Sequence, residues 1–327
     1  MEMKKELMKY LRPATVFSLG AVLLTASGCV KRELDIRPDE GYVEIALDWS
    51  GAGTSSRSAR YLFYNESGAL VKEVSGVREG FKGTLPTGTY RLVVHNTDAG
   101  QVDWRGTDQY ESAEVFAKTT DYSTTHHPAD GVPCILEPRD VFATGGCNES
   151  ETVEVRQLDT THLSVTPVEL TKRVRVRFTL EVSEEIRSLR GILSGVSHGY
   201  FPGKGCHNAS SSCAVEFTAE PETKSAAAAY KTEVNVFGLL STAQSPAETN
   251  TVHVTLSLID GTQATGTFDI TPSLQQLLAA NGGTLPDEIS LEVTLRIQGV
   301  GLSATVKPWD DSGEGSGDPR PQACKRQ

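Results

Sequence analysis

The chain has 327 residues, with 31 Lys and Arg against 42 Asp and Glu, a formal net charge of -11 and 38% hydrophobic residues. That balance leaves no basic surplus to neutralise phosphates, so nucleic acid is excluded as an expected partner. The length allows two domains with cores large enough to need no metal or staple, and a Thr-, Val- and Gly-rich composition with few helical periods points to β structure.

Lys4, Lys5, Lys9 and Arg12 form a basic start, followed by an apolar stretch from about Ala14 to Leu24 and then Thr25-Ala26-Ser27-Gly28-Cys29. Small residues before a cysteine after an apolar run make a bacterial lipoprotein processing site, although Ala26 stands where Leu is commoner. The apolar stretch is too short to span a bilayer as a permanent helix. Residues 1-28 therefore read as a lipoprotein signal peptide, leaving a mature chain of 299 residues and charge -13 that begins with an acylated Cys29. Two or three acyl chains there make a stable anchor. Residues 29-40 are charged, lack apolar period and read as a tether.

The first strand signal puts Val43, Ile45, Leu47 and Trp49 on one face, alternating with Tyr42, Glu44, Ala46 and Asp48. The loop GAGTSSRSAR leads into Tyr61-Leu62-Phe63-Tyr64, and Asn65-Glu66-Ser67-Gly68 turns the chain into Ala69 to Val74 as a hairpin. Pro86 and Gly88 set a tight turn into a strand whose rhythm groups Tyr90, Leu92 and Val94. After Trp104 the chain is less regular as far as about Thr161, broken by Pro128, Pro133, Pro138 and Gly145-Gly146. The boundary between an N-terminal β-sandwich (41-160) and a C-terminal one (161-309) is expected near residues 158-165.

The second half restarts with Leu163-Ser164-Val165-Thr166-Pro167, then Arg173 to Leu180, whose charged and apolar residues alternate. Further strands are predicted at Glu233 to Leu240, Thr251 to Ile259, Gln263 to Ile270, Ile289 to Gln298 and Leu302 to Lys307, with Asp260-Gly261 as a hairpin turn. One short helix is expected from Ser273 to about Ala280, with Thr271 as its N-cap, Pro272 at its first position and Asn281-Gly282-Gly283 as its stop. The tail 310-327 is Gly-, Pro- and charge-rich and is expected to be disordered.

Few residues suggest chemistry. Gly195-Val196-Ser197-His198-Gly199 matches the Gly-x-Ser-x-Gly pattern of a hydrolase nucleophile elbow, but no strand-helix alternation follows it, so it reads as a bend in a β domain. His126-His127 and the group His198, Cys206, His207 and Cys213 lack paired ligand spacings; Asp310, Asp311, Glu314 and Asp318 lack the spacing of a calcium loop. No metal, cofactor or catalytic residue is therefore expected. The five cysteines beyond Cys29 are Cys134, Cys147, Cys206, Cys213 and Cys324, allowing at most two internal bridges. The short spacings Cys134 to Cys147 and Cys206 to Cys213 suggest loop clips, with connectivity left open. Trp49, Trp104 and Trp309 could form a sugar-stacking platform, but each lies at or beside a strand where core packing is the default. Asp159-Thr160-Thr161 resembles a short acceptor site for O-glycosylation in exported proteins.

Taken in order, the lipoprotein site, Asp48-Trp49-Ser50, Leu85-Pro86-x-Gly88-x-Tyr90 leading to Val93-Val94-His95-Asn96, and Trp104-Arg105-Gly106-Thr107 resemble the lipoproteins allied to fimbrillins and fimbrial anchor subunits of Bacteroidales. In the second half, Leu163 to Pro167, Leu193-Ser194-Gly195-Val196 and Val306-x-x-Trp309 carry the same resemblance. It implies an all-β fold of two tandem transthyretin-like β-sandwich domains, an outer-membrane lipid anchor facing the cell surface, and other fimbrial subunits as partners in pilus assembly and adhesion. Shaft members of that family exchange strands after arginine-specific cleavage removes an N-terminal strand, whereas anchors keep their lipid. An unpaired sheet edge accepts a donated strand because its backbone groups lack partners. Arg57 and Arg60 are placed by sequence in the polar loop after Trp49, where cleavage would release the first strand. The leading expectation is a non-enzymatic, lipid-anchored anchor or accessory subunit; the alternatives are a surface glycan-binding lipoprotein and an esterase using Ser197.

Overall fold

The computed structural model describes residues 39-50, 58-124, 131-144, 152-181, 185-222, 228-240, 249-299 and 301-309. The signal peptide and Cys29, Arg57, His126-His127, Cys147 and the 310-327 tail lie outside the described residues. The described part is nearly all β, as its composition predicts, with one short helix.

The first sheet is built from β1 (Glu40–Leu47), β2 (Ser58–Tyr64), β3 (Leu70–Val77), β4 (Gly80–Pro86) and β5 (Gly88–Asn96). The chain then forms β6 (Val102–Arg105), β7 (Glu114–Ala117), β8 (Thr119–Thr120), β9 (Cys134–Ile135), β10 (Phe142–Ala143), β11 (Thr152–Val155), β12 (Thr160–Val165) and β13 (Val168–Glu169). The strand order is β12-β1-β4-β3-β2-β5-β10-β13, with β11 also on β5. β1 alternates as expected: Val43 and Ile45 are buried, and Trp49 beyond the strand is buried with its Nε1 donating to Arg78 O at 2.6 Å. They pack with Tyr61, Phe63, Phe81, Tyr90, Leu92, Val94, Val153 and Val155 in one core. On the sheet's other face Leu62, Tyr64 and Val93 are covered by Ala113 and Tyr110. The hairpin expected between Tyr64 and Ala69 is present, with Gly68 at φ 84° and Asn65 Oδ1 accepting from Ala69 N at 3.0 Å. A left-handed angle of this kind is open to glycine at little cost.

β12 corrects the expected boundary. It pairs with β1 in parallel, Ile45 opposite Leu163, and β13 pairs with β10, so residues 160-169 finish the first sheet instead of opening the second domain. The local pattern of β12 suits either sheet; the choice is made by which neighbour leaves backbone groups unpaired.

The second sheet comprises β14 (Lys172–Glu181), β15 (Ile186–Ser197), β18 (Ser212–Pro221), β19 (Ala229–Val236), β20 (Thr251–Leu258), β21 (Gln263–Asp269), β22 (Glu288–Gln298) and β23 (Gly301–Pro308); β16 (Gly199–Phe201) and β17 (Cys206–His207) form a short excursion between β15 and β18. Its order is β15-β20-β21-β23-β22-β14-β19-β18-β9-β8, the last two strands coming from the first half of the chain, and β15 also pairs with β18, closing the circuit. The seams are thin: β18 and β19 share two residue pairs, and β21 and β23 share one. The circuit therefore divides into two layers over one core that includes Val176, Phe178, Leu189, Leu193, Val215, Phe217, Leu256 and Leu291. Residues directed outward from β14 are tied across strands: Arg173 and Arg175 to Glu233, and Arg177 to Glu222. Such half-exposed pairs add little stability each but keep this face wet.

The helix α1 (Thr271–Ala280) starts two residues earlier than expected, and Thr271 is not its N-cap. Ile270 occupies that position without a side-chain cap, while Asp269 Oδ1 accepts from Thr271 N at 2.8 Å and Thr271 Oγ1 accepts from Asn250 N at 3.0 Å. The Thr271 hydroxyl is drawn away by a buried backbone group from β20's approach, a tertiary demand invisible in the local pattern.

Candidate functional site

The structure disperses the residues that hinted at catalysis. Ser197 ends β15, an antiparallel strand, and is fully buried; its hydroxyl lies 2.9 Å from Gly199 O and 2.8 Å from Asn208 O. A nucleophile elbow instead needs an exposed hydroxyl at a strand-to-helix turn. Gly195, at φ 74°, marks a β-bulge between Ser194 and Val196, and Asn250 Nδ2 donates to Gly195 O at 2.7 Å. His198 Nε2 donates to Ala117 O at 3.0 Å, and His207 is half-buried with its pKa lowered by partial burial and by Lys172. Among the described residues, no group of three His, Cys, Asp or Glu is placed to hold a metal.

The expected Cys206 to Cys213 clip is not formed, because the two free thiols belong to different sheets: Cys206 pairs opposite Phe201 and Cys213 opposite Val196. Cys134 is likewise a free, buried thiol, raised to about 11 mainly by burial. The three tryptophans do not form a platform. Trp49 is buried, Trp104 stacks on His95 with ring centroids 3.9 Å apart, and Trp309 lies under Arg177 at 5.6 Å.

Arg60 is not in a loop. It sits within β2, opposite Ser75 of β3 and His95 of β5, with its guanidinium 3.2 Å from Glu73. A protease needs an extended, detachable peptide, and this one is hydrogen-bonded on both sides in the sheet interior. The sequence pattern suggests a loop there because alanine is the only apolar residue type in GAGTSSRSAR, and Ala59 alone does not announce the strand start at Ser58.

What remains is a set of strand edges. Among the described residues β12 is the outermost strand at one end of the first sheet. Its Thr160, His162 and Ser164 are exposed, and Glu44 of β1 lies between His162 at 3.3 Å and Lys82 of β4. The hydrogen bond from Lys82 is the main reason the Glu44 carboxyl is held below its usual range. Thr160, in the expected O-glycosylation site, is exposed at this edge, whereas Thr161 Oγ1 donates to Glu154 O at 2.6 Å. A polar, charged edge resists indiscriminate pairing but still carries the backbone groups a strand partner would use.

A feature that sequence reading missed lies between the sheets. β6, β7, β16 and β17 make a four-stranded sheet of order β17-β16-β7-β6, so strands from opposite halves of the chain pair directly. Glu114, only 4% exposed, accepts from Arg105 Nε at 2.6 Å and from Asn208 Nδ2 at 2.8 Å. An acid flanked by Ala113, Val115 and Phe116 was the available signal, since a carboxylate inside an apolar run needs buried partners.

Comparison with known proteins agrees with the all-β architecture and the resemblance seen in the sequence. A candidate fimbrium anchoring subunit of Bacteroides ovatus, Fim4B, is 36% identical over 98 residues, which span 29% of this chain and 29% of that protein. The solved structure of a candidate adhesin from Bacteroides ovatus superposes with TM-score 0.53 at 17% identity, covering 72% of this chain and 84% of the other. A candidate polysaccharide-binding protein from Bacteroides thetaiotaomicron superposes with TM-score 0.50 at 11% identity, covering 84% of this chain and all of the other. At such identities the structural likeness concerns the fold. The sequence match to a family model runs over residues 28–218, more than half of the chain, and this protein belongs to that family, described as a domain of unknown function (DUF5119).

Proposed function

We propose that this protein is a non-enzymatic, lipid-anchored fimbrial-type subunit, an anchor or accessory component, that joins pilus assembly and cell adhesion by pairing strand edges with other subunits. The observation that carries this reading is the 36% identity to the candidate fimbrium anchoring subunit. The adhesin-like fold supports it, as does the burial of Ser197, which leaves the Gly-x-Ser-x-Gly match without an exposed nucleophile. Cys29 would hold the chain at the outer membrane, and the edge of β12 would be the pairing site because, among the described residues, it is the outermost strand of its sheet.

An anchor would retain β1. Val43, Ile45 and Trp49 belong to the first core, and β1 pairs with both β12 and β4, so its loss would detach β12 as well. The test is intact-mass and N-terminal analysis of the protein from native membranes, with co-purified subunits identified by mass spectrometry. A chain beginning at acylated Cys29 and recovered with pilus subunits supports the anchor reading. A lipid-free chain beginning at Ser58 would make it a polymerising subunit, and full-length lipoprotein with no pilus component would remove the fimbrial role.

A further inference from the structure

Residues 97-141 leave the first sheet after β5 and return to it at β10, and the excursion is closed at its base. Gly100 N donates to Arg139 O at 3.0 Å and Arg139 N to Gly100 O at 3.2 Å. Asn96 Nδ2 donates to Asp140 O at 2.7 Å, while Phe142 N donates to Asn96 Oδ1 at 2.9 Å. The excursion's own strands are stitched together by Lys118 N to Gln101 O at 2.9 Å and Leu136 N to Lys118 O at 2.8 Å.

Its far side is built into the second half. β7 pairs with β16, and Ala117 N donates to His198 O at 3.0 Å. β9 pairs in parallel with β18, with Ala214 N donating to Pro133 O at 3.0 Å. Three carboxylates pin it: Glu114 to Asn208, Glu216 to Ser123 N at 2.9 Å, and Glu137 to both nitrogens of Asn235 at 2.9 and 3.0 Å. Val102, Val115, Ala117 and Ile135 enter the hydrophobic core of the second half. The second half thus lacks a complete core without residues supplied by the first.

The geometry points to a mechanical role for this excursion: it is a clasp that makes the two halves one mechanical unit, so that tension between the chain's ends passes through paired strands and not through the short connection from β13 to β14. This rests on the anchor reading for its purpose, but its test uses the purified protein alone. Load across several hydrogen bonds and a shared core is resisted cooperatively, because no half can open without exposing the other's apolar residues.

The experiment is single-molecule stretching of the full chain, detergent-solubilised and held by its two termini. The expected record is one rupture releasing the length of both halves together. With E114A and N208A combined, one of the three pins is lost while the paired strands and the shared core remain, and the expected record is one rupture at lower force. Two ruptures in the wild type would overturn the clasp, as would an unchanged rupture force in the double variant. Hydrogen exchange of the wild type needs no variant and stays decisive if the double variant fails to fold. Amides of Val115, Phe116 and Ala117 should exchange at the rate of the β2 and β14 amides, and exchange at least 100-fold faster, roughly 2.7 kcal/mol less protected, overturns it. Neither result depends on whether a pilus partner exists.

Discussion

Replacement of Glu114 tests whether the contact between halves is held by a specific polar pin. In E114A, Asn208 Nδ2 loses its acceptor while Asn208 stays only 8% exposed, an unpaired buried donor that costs about 1–3 kcal/mol. Arg105 is half-exposed, with 49% of its side chain open, and returns to water, so its lost pairing adds no more than about 1 kcal/mol. The expected total is about 1–4 kcal/mol by urea denaturation of the full chain, a sizeable part of the stability of an ordinary domain. N208A loses the same bond but also frees Ser210, whose N and Oγ both donate to Asn208 Oδ1. The double-mutant cycle therefore isolates the pair, with a coupling of roughly 1–2 kcal/mol expected for residues in direct contact. Additivity within about 0.3 kcal/mol, or a loss below about 0.5 kcal/mol in E114A, would refute the reasoning.

Other outcomes follow from particular sites. His95 is 2% exposed, stacked on Trp104, and lowered from 6.5 to about 4 chiefly by burial, with Nδ1 donating to Asn96 O at 2.8 Å and Arg60 adding repulsion. Because the folded value lies below the unfolded one, its stability contribution is complete above pH 6.5 and is lost as pH falls towards 4; about 3 kcal/mol should disappear over that window. H95Q should flatten this part of the pH-stability curve, and an unchanged slope would count against the assignment. Limited digestion of the folded protein with an arginine-specific protease should leave a new N-terminus at Ser58 and none at Tyr61, since the Arg60-Tyr61 bond lies inside β2; an early Tyr61 terminus would show that β2 detaches readily. Serine-reactive probes should not label native Ser197, and S197A should cost about 1 kcal/mol through its lost hydrogen bond. Labelling of the folded chain would revive the hydrolase reading.

Much of the architecture is legible in short stretches. The alternation of Val43 and Ile45, the Tyr64 to Leu70 hairpin and the charged-apolar rhythm of Arg173 to Leu180 appear in the structure with the expected faces, because side chains two apart on a strand share a side. Asp260-Gly261 forms its turn, with Gly261 at φ 88° and Asp260 Oδ1 accepting from Thr262 N at 2.8 Å. β4 escapes local reading since Gly80, Gly83 and Lys82 dilute its apolar residues; only Phe81 and Leu85 turn inward. Cys206 and Cys213 mislead by their closeness in sequence, because Cys206 lies in β17 of the four-stranded sheet and Cys213 in β18 of the second sheet.

By itself the sequence determined the class of the fold, the inward face of its longer strands, the turns that need glycine and the expectation of a lipid anchor at Cys29. Each depends on a few adjacent side chains and the backbone angles they permit. The tertiary structure alone decided that β12 joins β1 in parallel, that Arg60 lies inside a sheet, and that residues 97-141 bind the two halves together. Those choices rest on backbone hydrogen bonds, whose donors and acceptors are nearly the same at every residue. A local pattern therefore shows which way a strand faces, and only the assembled core selects its neighbour.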